Sequence, residues 1–377
     1  MSDIDSGHAV EIEVRWPPFD PRTVIPSALP IAKGRFRLSE ESETPCDLQL
    51  GDSEGFHVTR RVIRVDSGLA KCKDWRTLTS RIPNRISRAR TGWFITPNYL
   101  HILARKLIPF AVIGIISSLA IHAFEPALVE AGIVDGSFAG SVRLGLLDYP
   151  ILLLIFLPLF FVPIFLRVVA SVWDYRRTRK FRANTPSSPK ISIIGVTDTK
   201  NALEVNIEFS EKNSEWSSIT AWVQVGLLNP RRPMFLHALG RKEGLQNPPG
   251  VSTPLKIHQY NEAELGTGIG ESTPLQGPDA ERLFLAPLPV VAKGDPVKVT
   301  KKSETVTIQL PHGNWPGTEY HPLFGSHWEI LICIEQENDS PLLYVEPIIM
   351  QHDGSPCVIK KLPVQSGRSE LEVIRTS

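Results

Sequence analysis

The chain has 377 residues, 42% hydrophobic and 21% charged, with 41 Lys and Arg against 40 Asp and Glu, for a net charge of +1. That balance argues against a nucleic-acid binder, which would need a basic folded face with aromatics or a known reading module. Cys46, Cys72, Cys333 and Cys357 are widely separated with no C-x-x-C pair, so free buried thiols of a reducing compartment are expected, with no structural disulfide.

Residues 1–80 predict a β-rich cytoplasmic segment. Val10, Ile12, Val14 and Trp16 alternate with Glu11, Glu13 and Arg15, the period of two that marks a half-buried strand. Further strands are expected over 34–38, 46–50 and 56–65, and five prolines from Pro17 to Pro30 break the stretch between. A core of this size is marginal alone, so the segment is expected to pack on the carboxy-terminal domain. Residues 81–106 mix Ile86, Trp93, Phe94, Ile95 and Leu100 with arginines. They predict a basic juxtamembrane segment lying on the bilayer surface, in which Pro97 prevents one continuous helix.

Two uncharged apolar runs follow, 107–124 and 149–166. Each is about 18 residues, or about 27 Å as a helix, close to the hydrocarbon thickness of a bilayer. The sequence ILLLIFLPLFFVPIFL at 151–166 is apolar all round and leaves no face for water, unlike an amphipathic helix on a soluble core. Both runs are read as transmembrane helices, the first over 107–124 and the second over 149–173. Each lies more than a hundred residues from Met1, which excludes a signal peptide for either. Between Asp74 and Glu125 there is no acidic residue, whereas the loop 125–148 has Arg143 against Glu125, Glu130, Asp135 and Asp148. By the positive-inside rule both termini are cytoplasmic and the loop is extracytoplasmic. Arg85, Arg88, Arg90, Arg105, Lys106, Arg176, Arg177, Arg179 and Lys180 are the candidate contacts with anionic lipid, and Tyr99 and Trp173 stand where interfacial aromatics are expected.

Gly114, Ser118 and His122 recur every four residues and so share one helix face, where small residues allow a second helix to approach. Pro150, Pro158 and Pro163 favour kinks in the second span. A basic linker, 174–190, ends in the semi-rigid ANTPSSPK. Residues 191–377 predict a carboxy-terminal β-sandwich domain with strands over 191–196, 203–209, 219–228, 283–291, 305–310, 328–335, 342–350 and 357–364. The Gly-, Pro-, Ser- and Thr-rich stretch 240–281 reads as a long loop. The fold class is thus a membrane protein, a two-helix transmembrane hairpin with an all-β, sandwich-like cytoplasmic domain.

The stretch ETVTIQLPHGNWPGTEYHPLFGSHWEILICIEQENDSPLLYVEPIIM at 304–350 resembles the later strands of arrestin-like or immunoglobulin-like sandwiches. In those folds a strand ending in proline precedes an irregular crossing, a strand with an inward Trp or Tyr, and a closing strand ending in proline. The resemblance implies a fold and no functional residue.

For chemistry, His312, Glu319, His321 and His327 fall within sixteen residues. His312, His321 and His327 are the candidate metal ligands, of the type that binds zinc or copper, although surface histidines explain the same spacing. Met350, His352 and Cys357 are the residue types of a blue-copper site, in the reverse of its usual order. The run GTGIG at 266–270 lacks the G-x-G-x-x-G spacing, and no P-loop, H-E-x-x-H or nucleophile elbow occurs. No cofactor and no catalytic residue is therefore assigned. The sequence reads as a membrane-anchored, non-catalytic interaction or scaffold protein, partnered by the lipid bilayer and by a protein on its carboxy-terminal β domain. One alternative is an oligomeric membrane effector or accessory subunit, a homo-oligomer packed through Gly114, Ser118 and His122. The other is a metal-dependent enzyme or electron-transfer subunit.

Overall fold

A computed structural model describes residues 8–37, 46–64, 81–133, 141–145, 147–197, 201–210, 216–229, 236–237, 239–241, 283–321, 323–337, 339–352 and 354–368. The chain divides into two compact units, Met1–Thr96 with Pro186–Ser377, and Pro97–Thr185. In chain order the first part carries β1 (His8–Arg15), β2 (Ala32–Arg37), β3 (Leu48–Gly51), β4 (His57–Arg64), α1 (Asn84–Arg90) and β5 (Gly92–Ile95). The second unit holds α2 (Leu100–Glu130), β6 (Ser141–Leu144), β7 (Leu147–Pro150) and α3 (Ile151–Ala183). The return to the first unit brings β8 (Lys190–Val196), β9 (Ala202–Glu208), β10 (Trp216–Leu228), β11 (Val290–Lys293), β12 (Val297–Lys298) and β13 (Ser303–Gln309). It closes with β14 (Glu319–Tyr320), β15 (Gly325–Gln336), β16 (Leu342–Ile348) and β17 (Cys357–Ile359).

The amino-terminal strands form a sheet ordered β17-β3-β4-β1-β2, so its edge strand comes from the far end of the chain. Val10, Ile12, Val14 and Trp16 are buried, as their alternation requires, and the Trp16 indole donates to the Leu323 carbonyl at 2.8 Å. The larger sheet runs β11-β10-β15-β16-β5, with β12 paired to β10 and β14 to β15. Its central strand β15 is buried over its first ten residues, on both faces, which is why it reads as an apolar run rather than an alternation. Phe94 of β5 packs with Leu331, Cys333, Leu343, Val345 and Leu285 in one core cluster, and the backbone of β5 pairs with β16 from Gly92 to Ile95. This corrects the expectation for 81–106. Trp93, Phe94 and Ile95 are buried core residues of the sheet, and α1 buries Ile86 and Arg90. The aromatic-and-arginine composition fits an interfacial segment equally well, so composition alone placed it wrongly.

A third sheet, β13-β9-β8, buries Leu203, Val205 and Ile207 of β9, whereas Ile193, Ile194 and Val196 on its edge strand β8 are exposed. The expected strand over 283–291 is confined to its last residues, in β11. Of the 240–281 loop, only 240 and 241 fall among the described residues.

In the second unit two helices long and apolar enough to cross a membrane pack on each other. They are longer than the apolar runs: α2 has 31 residues and α3 has 33, about 46 and 50 Å at 1.5 Å per residue. The reason is that an apolar run marks only the uncharged part of a helix. Extra turns carry Arg105 and Lys106 at one end of α2, and Arg167 to Arg182 along α3, so 174–190 is helix through Ala183. Likewise 125–148 is not all loop, since α2 runs to Glu130 and β6 and β7 form a hairpin. Pro150 caps α3, and Pro158 and Pro163 lie inside it. Of the helix-packing residues, Gly114 and Ser118 are buried, and a Cβ at Gly114 would run into the Phe156 ring of α3. The close approach is therefore made within the hairpin. His122 is half-buried on the same side.

Asp174, buried on α3, fastens the start of α2. Its carboxylate accepts from the Asn98 N–H at 3.1 Å, lies 3.2 Å from His101 Nε2, and takes Arg177 Nη1 at 3.1 Å. Arg177 is thus partly occupied with Asp174, while Arg176, Arg179, Lys180 and Lys106 are exposed.

Candidate functional site

The three histidines of the expected metal set do not converge. His312 is exposed. His321 is buried beside Phe324 and its Nδ1 accepts the Leu323 N–H at 3.1 Å. His327 is buried in β15, between the Tyr320 hydroxyl, 2.8 Å from Nδ1, and Glu329, 3.0 Å from Nε2. Glu329 in turn holds Arg90 through two hydrogen bonds of 2.7 Å and accepts a hydrogen bond from Gln224. Burial pushes the Glu329 carboxyl up, but the Arg90 guanidinium outweighs it and holds the group below the usual carboxylate range. Burial keeps His327 neutral. Arg90 is therefore no lipid contact, since it lies wholly inside the fold as the counter-charge of Glu329. Among the other candidate lipid residues, Arg88 is exposed and Arg85 and Arg105 are half-buried.

A different constellation does converge. Cys46 Sγ and Cys357 Sγ lie 3.7 Å apart, and His352 Nε2 is 3.0 Å from Cys357 Sγ. These three are the one group of metal-ligand type close enough to share an ion among the described residues. Arg60, buried on β4, donates from Nη2 to Cys46 Sγ at 3.6 Å and from Nε to the Cys46 carbonyl at 2.9 Å. Its Nη1 binds Glu319 Oε2 at 2.5 Å.

Two features decide what the group can do. The first is the imidazole tautomer. Gly354 N–H donates to His352 Nδ1 at 3.0 Å, which leaves the proton of a neutral ring on Nε2, facing Cys357 Sγ and, at 3.3 Å, Asn314 Oδ1. A metal-binding Nε2 needs the reverse, with Nδ1–H donating to a carboxylate or carbonyl. The second is charge. The Cys46 thiol is held down to about 5, first by its hydrogen bond with Cys357 and then by Arg60 and His352, against the cost of burial. The Cys357 thiol is pushed up by the same bond and by burial. The two sulfurs face each other across one hydrogen bond, and the Arg60 guanidinium beside Cys46 favours negative charge on that sulfur. No protein-family model and no curated protein matches this chain. Its chemistry is read from this geometry alone.

The sequence holds two of the three residues in its 350–357 stretch, where Met350 is buried. Its backbone is engaged with Thr318, to which it is bound at both N–H and carbonyl. Cys46 is 311 residues from Cys357, and no spacing rule spans that gap. A signal does exist for the buried network: His327 and Glu329 are two apart on a strand and so lie on one face.

Proposed function

We propose that this protein is a membrane-anchored, non-catalytic interaction protein with both termini in the cytoplasm, whose β body takes up an extended segment of a protein partner along β8. The observation that carries the reading is the edge of the third sheet. Among the described residues β8 pairs only with β9, and it exposes Ile193 at 44%, Ile194 at 59% and Val196 at 49%. Soluble proteins blunt such edges with charge or proline. An open edge with uncovered apolar side chains suits strand addition, in which the backbone supplies affinity and alternate side chains supply selectivity.

Anchoring is supported by the hairpin. Its two helices keep Phe110, Ile113, Ile116, Phe124, Phe161 and Phe165 exposed, an apolar surface that water would not tolerate in a soluble unit. The flanking arginines support cytoplasmic termini by the positive-inside rule. The large and third sheets, with their buried apolar faces, fit the layers of a sandwich of the arrestin- or immunoglobulin-like kind.

The test is purification of the full chain in mild detergent with mass spectrometry of co-eluting proteins, beside an Ile193→Lys variant. The reading expects a stoichiometric partner that the variant loses while staying membrane-bound. A partner kept by the variant moves docking away from β8, and release of the protein from membranes by alkaline carbonate overturns the anchor.

A further inference from the structure

The thiol pair lies on the amino-terminal sheet, a different sheet from that of β8, and does not depend on the docking reading. Cys357 opens β17, which runs parallel to β3 with Cys357 opposite Leu48, and its N–H donates to the Asp47 carbonyl at 3.0 Å. The backbones are thus hydrogen-bonded neighbours. From 3.7 Å, the sulfurs need about 1.7 Å of approach to reach the roughly 2.05 Å of a disulfide.

Each sulfur has a distinct setting. Cys46 is half-buried, the more open of the two, and it faces the Arg60 guanidinium. Cys357 is fully buried behind it, with His352 Nε2 alongside. A charged, more open thiolate beside a second, protonated thiol is the arrangement of oxidation-sensing cysteines. Cys333, buried in the core of the larger sheet, has neither feature, and Cys72 lies outside the described residues.

We propose that Cys46 and Cys357 form a hydroperoxide-reactive pair, in which Cys46 is oxidised first and Cys357 resolves it to a reversible disulfide. The Cys46 thiolate attacks the terminal oxygen of the hydroperoxide. An S–O bond forms, the O–O bond breaks, and the leaving oxygen departs as water (or an alcohol) after taking a proton. Cys357 then attacks the Cys46 sulfenic sulfur. The S–S bond forms, the S–O bond breaks, and the Cys357 proton leaves with the hydroxide as water. The net change is two thiols oxidised by two electrons and one peroxide reduced. A small thiol reductant reverses it by exchange. Arg60 serves as a positioning residue, holding the charge on Cys46.

The experiment treats the full-length protein in detergent with hydrogen peroxide, blocks free thiols and maps the peptides. Expected are a Cys46–Cys357 linked peptide, loss of two thiols per chain reversed by dithiothreitol, and at least tenfold faster oxidation of Cys46 than of Cys333. In Cys357→Ser, dimedone should trap a sulfenic acid at Cys46. If that variant does not fold, competition by dimedone against the linked peptide in the native chain gives the same readout. Overoxidation of Cys46 without a linked peptide, or equal oxidation of Cys333, overturns the proposal. So does stoichiometric zinc on the purified protein that is released on alkylating these thiols.

Discussion

Cys46 shows how far neighbours move a side chain from its ordinary chemistry. Held down to about 5 by Cys357, Arg60 and His352, it is a thiolate across the neutral range, where a free cysteine of pKa about 8.5 is mostly protonated. Its alkylation rate in the folded protein should therefore be flat from pH 6.5 to 9, and a rate climbing through pH 8.5 would show the thiol to be unperturbed. His321 links stability to pH with the same sign as Cys46, through a group kept neutral rather than charged. Burial, then Arg60, hold its folded pKa down to about 3, whereas an unfolded imidazole titrates near 6.5. Below about pH 6.5 the unfolded chain binds the extra proton, so stability falls with pH by about 1.4 kcal/mol per unit, in a window ending near the folded value. His321→Gln should flatten the slope of melting temperature against pH between 6.5 and 5. For the wholly buried Arg90–Glu329 pair, Arg90→Met strands a charge and should cost about 3–5 kcal/mol in denaturation. Adding Glu329→Leu should recover part of that, since an apolar pair leaves no uncompensated charge.

At the scale of elements, what the sequence made legible depended on whether a pattern had one cause. The alternation of Val10, Ile12 and Val14 has one, a strand with a wet face, and β1 is found there. Trp93, Phe94 and Ile95 beside arginines have two, a bilayer surface or a sheet edge that begins after a buried ion pair, and the sheet is where they lie. The apolar runs marked the helices and missed their lengths, because charged turns extend each helix without a change of pattern. Cys46, Arg60 and Cys357 were illegible as a site, because strand pairing, and not spacing, assembles them. Gly114 makes the helix pairing testable. Gly114→Leu drives a side chain into the Phe156 ring and should separate α2 from α3, read as lost proximity of spin labels on the two helices. An unchanged distance would place the contact elsewhere.

At the scale of the molecule, the β-rich unit is closed by strands from its amino-terminal and carboxy-terminal parts. β17 edges the amino-terminal sheet, β5 edges the larger one, and near the carboxy terminus Gly367 N–H donates to the Phe19 carbonyl at 2.6 Å. Removing residues 1–80 should thus leave the carboxy-terminal strands unable to hold their fold, seen as protease sensitivity of 186–377. A resistant fragment would mean that the larger sheet stands alone. The interleaving also sets a timetable for synthesis. β3 and β5 leave the ribosome well before β17 and β16, their last partners, and the hairpin is made in the interval. At roughly 5–20 residues per second, the first strands wait some tens of seconds before their last partners are made, an interval in which unpaired strand edges are open to wrong pairing.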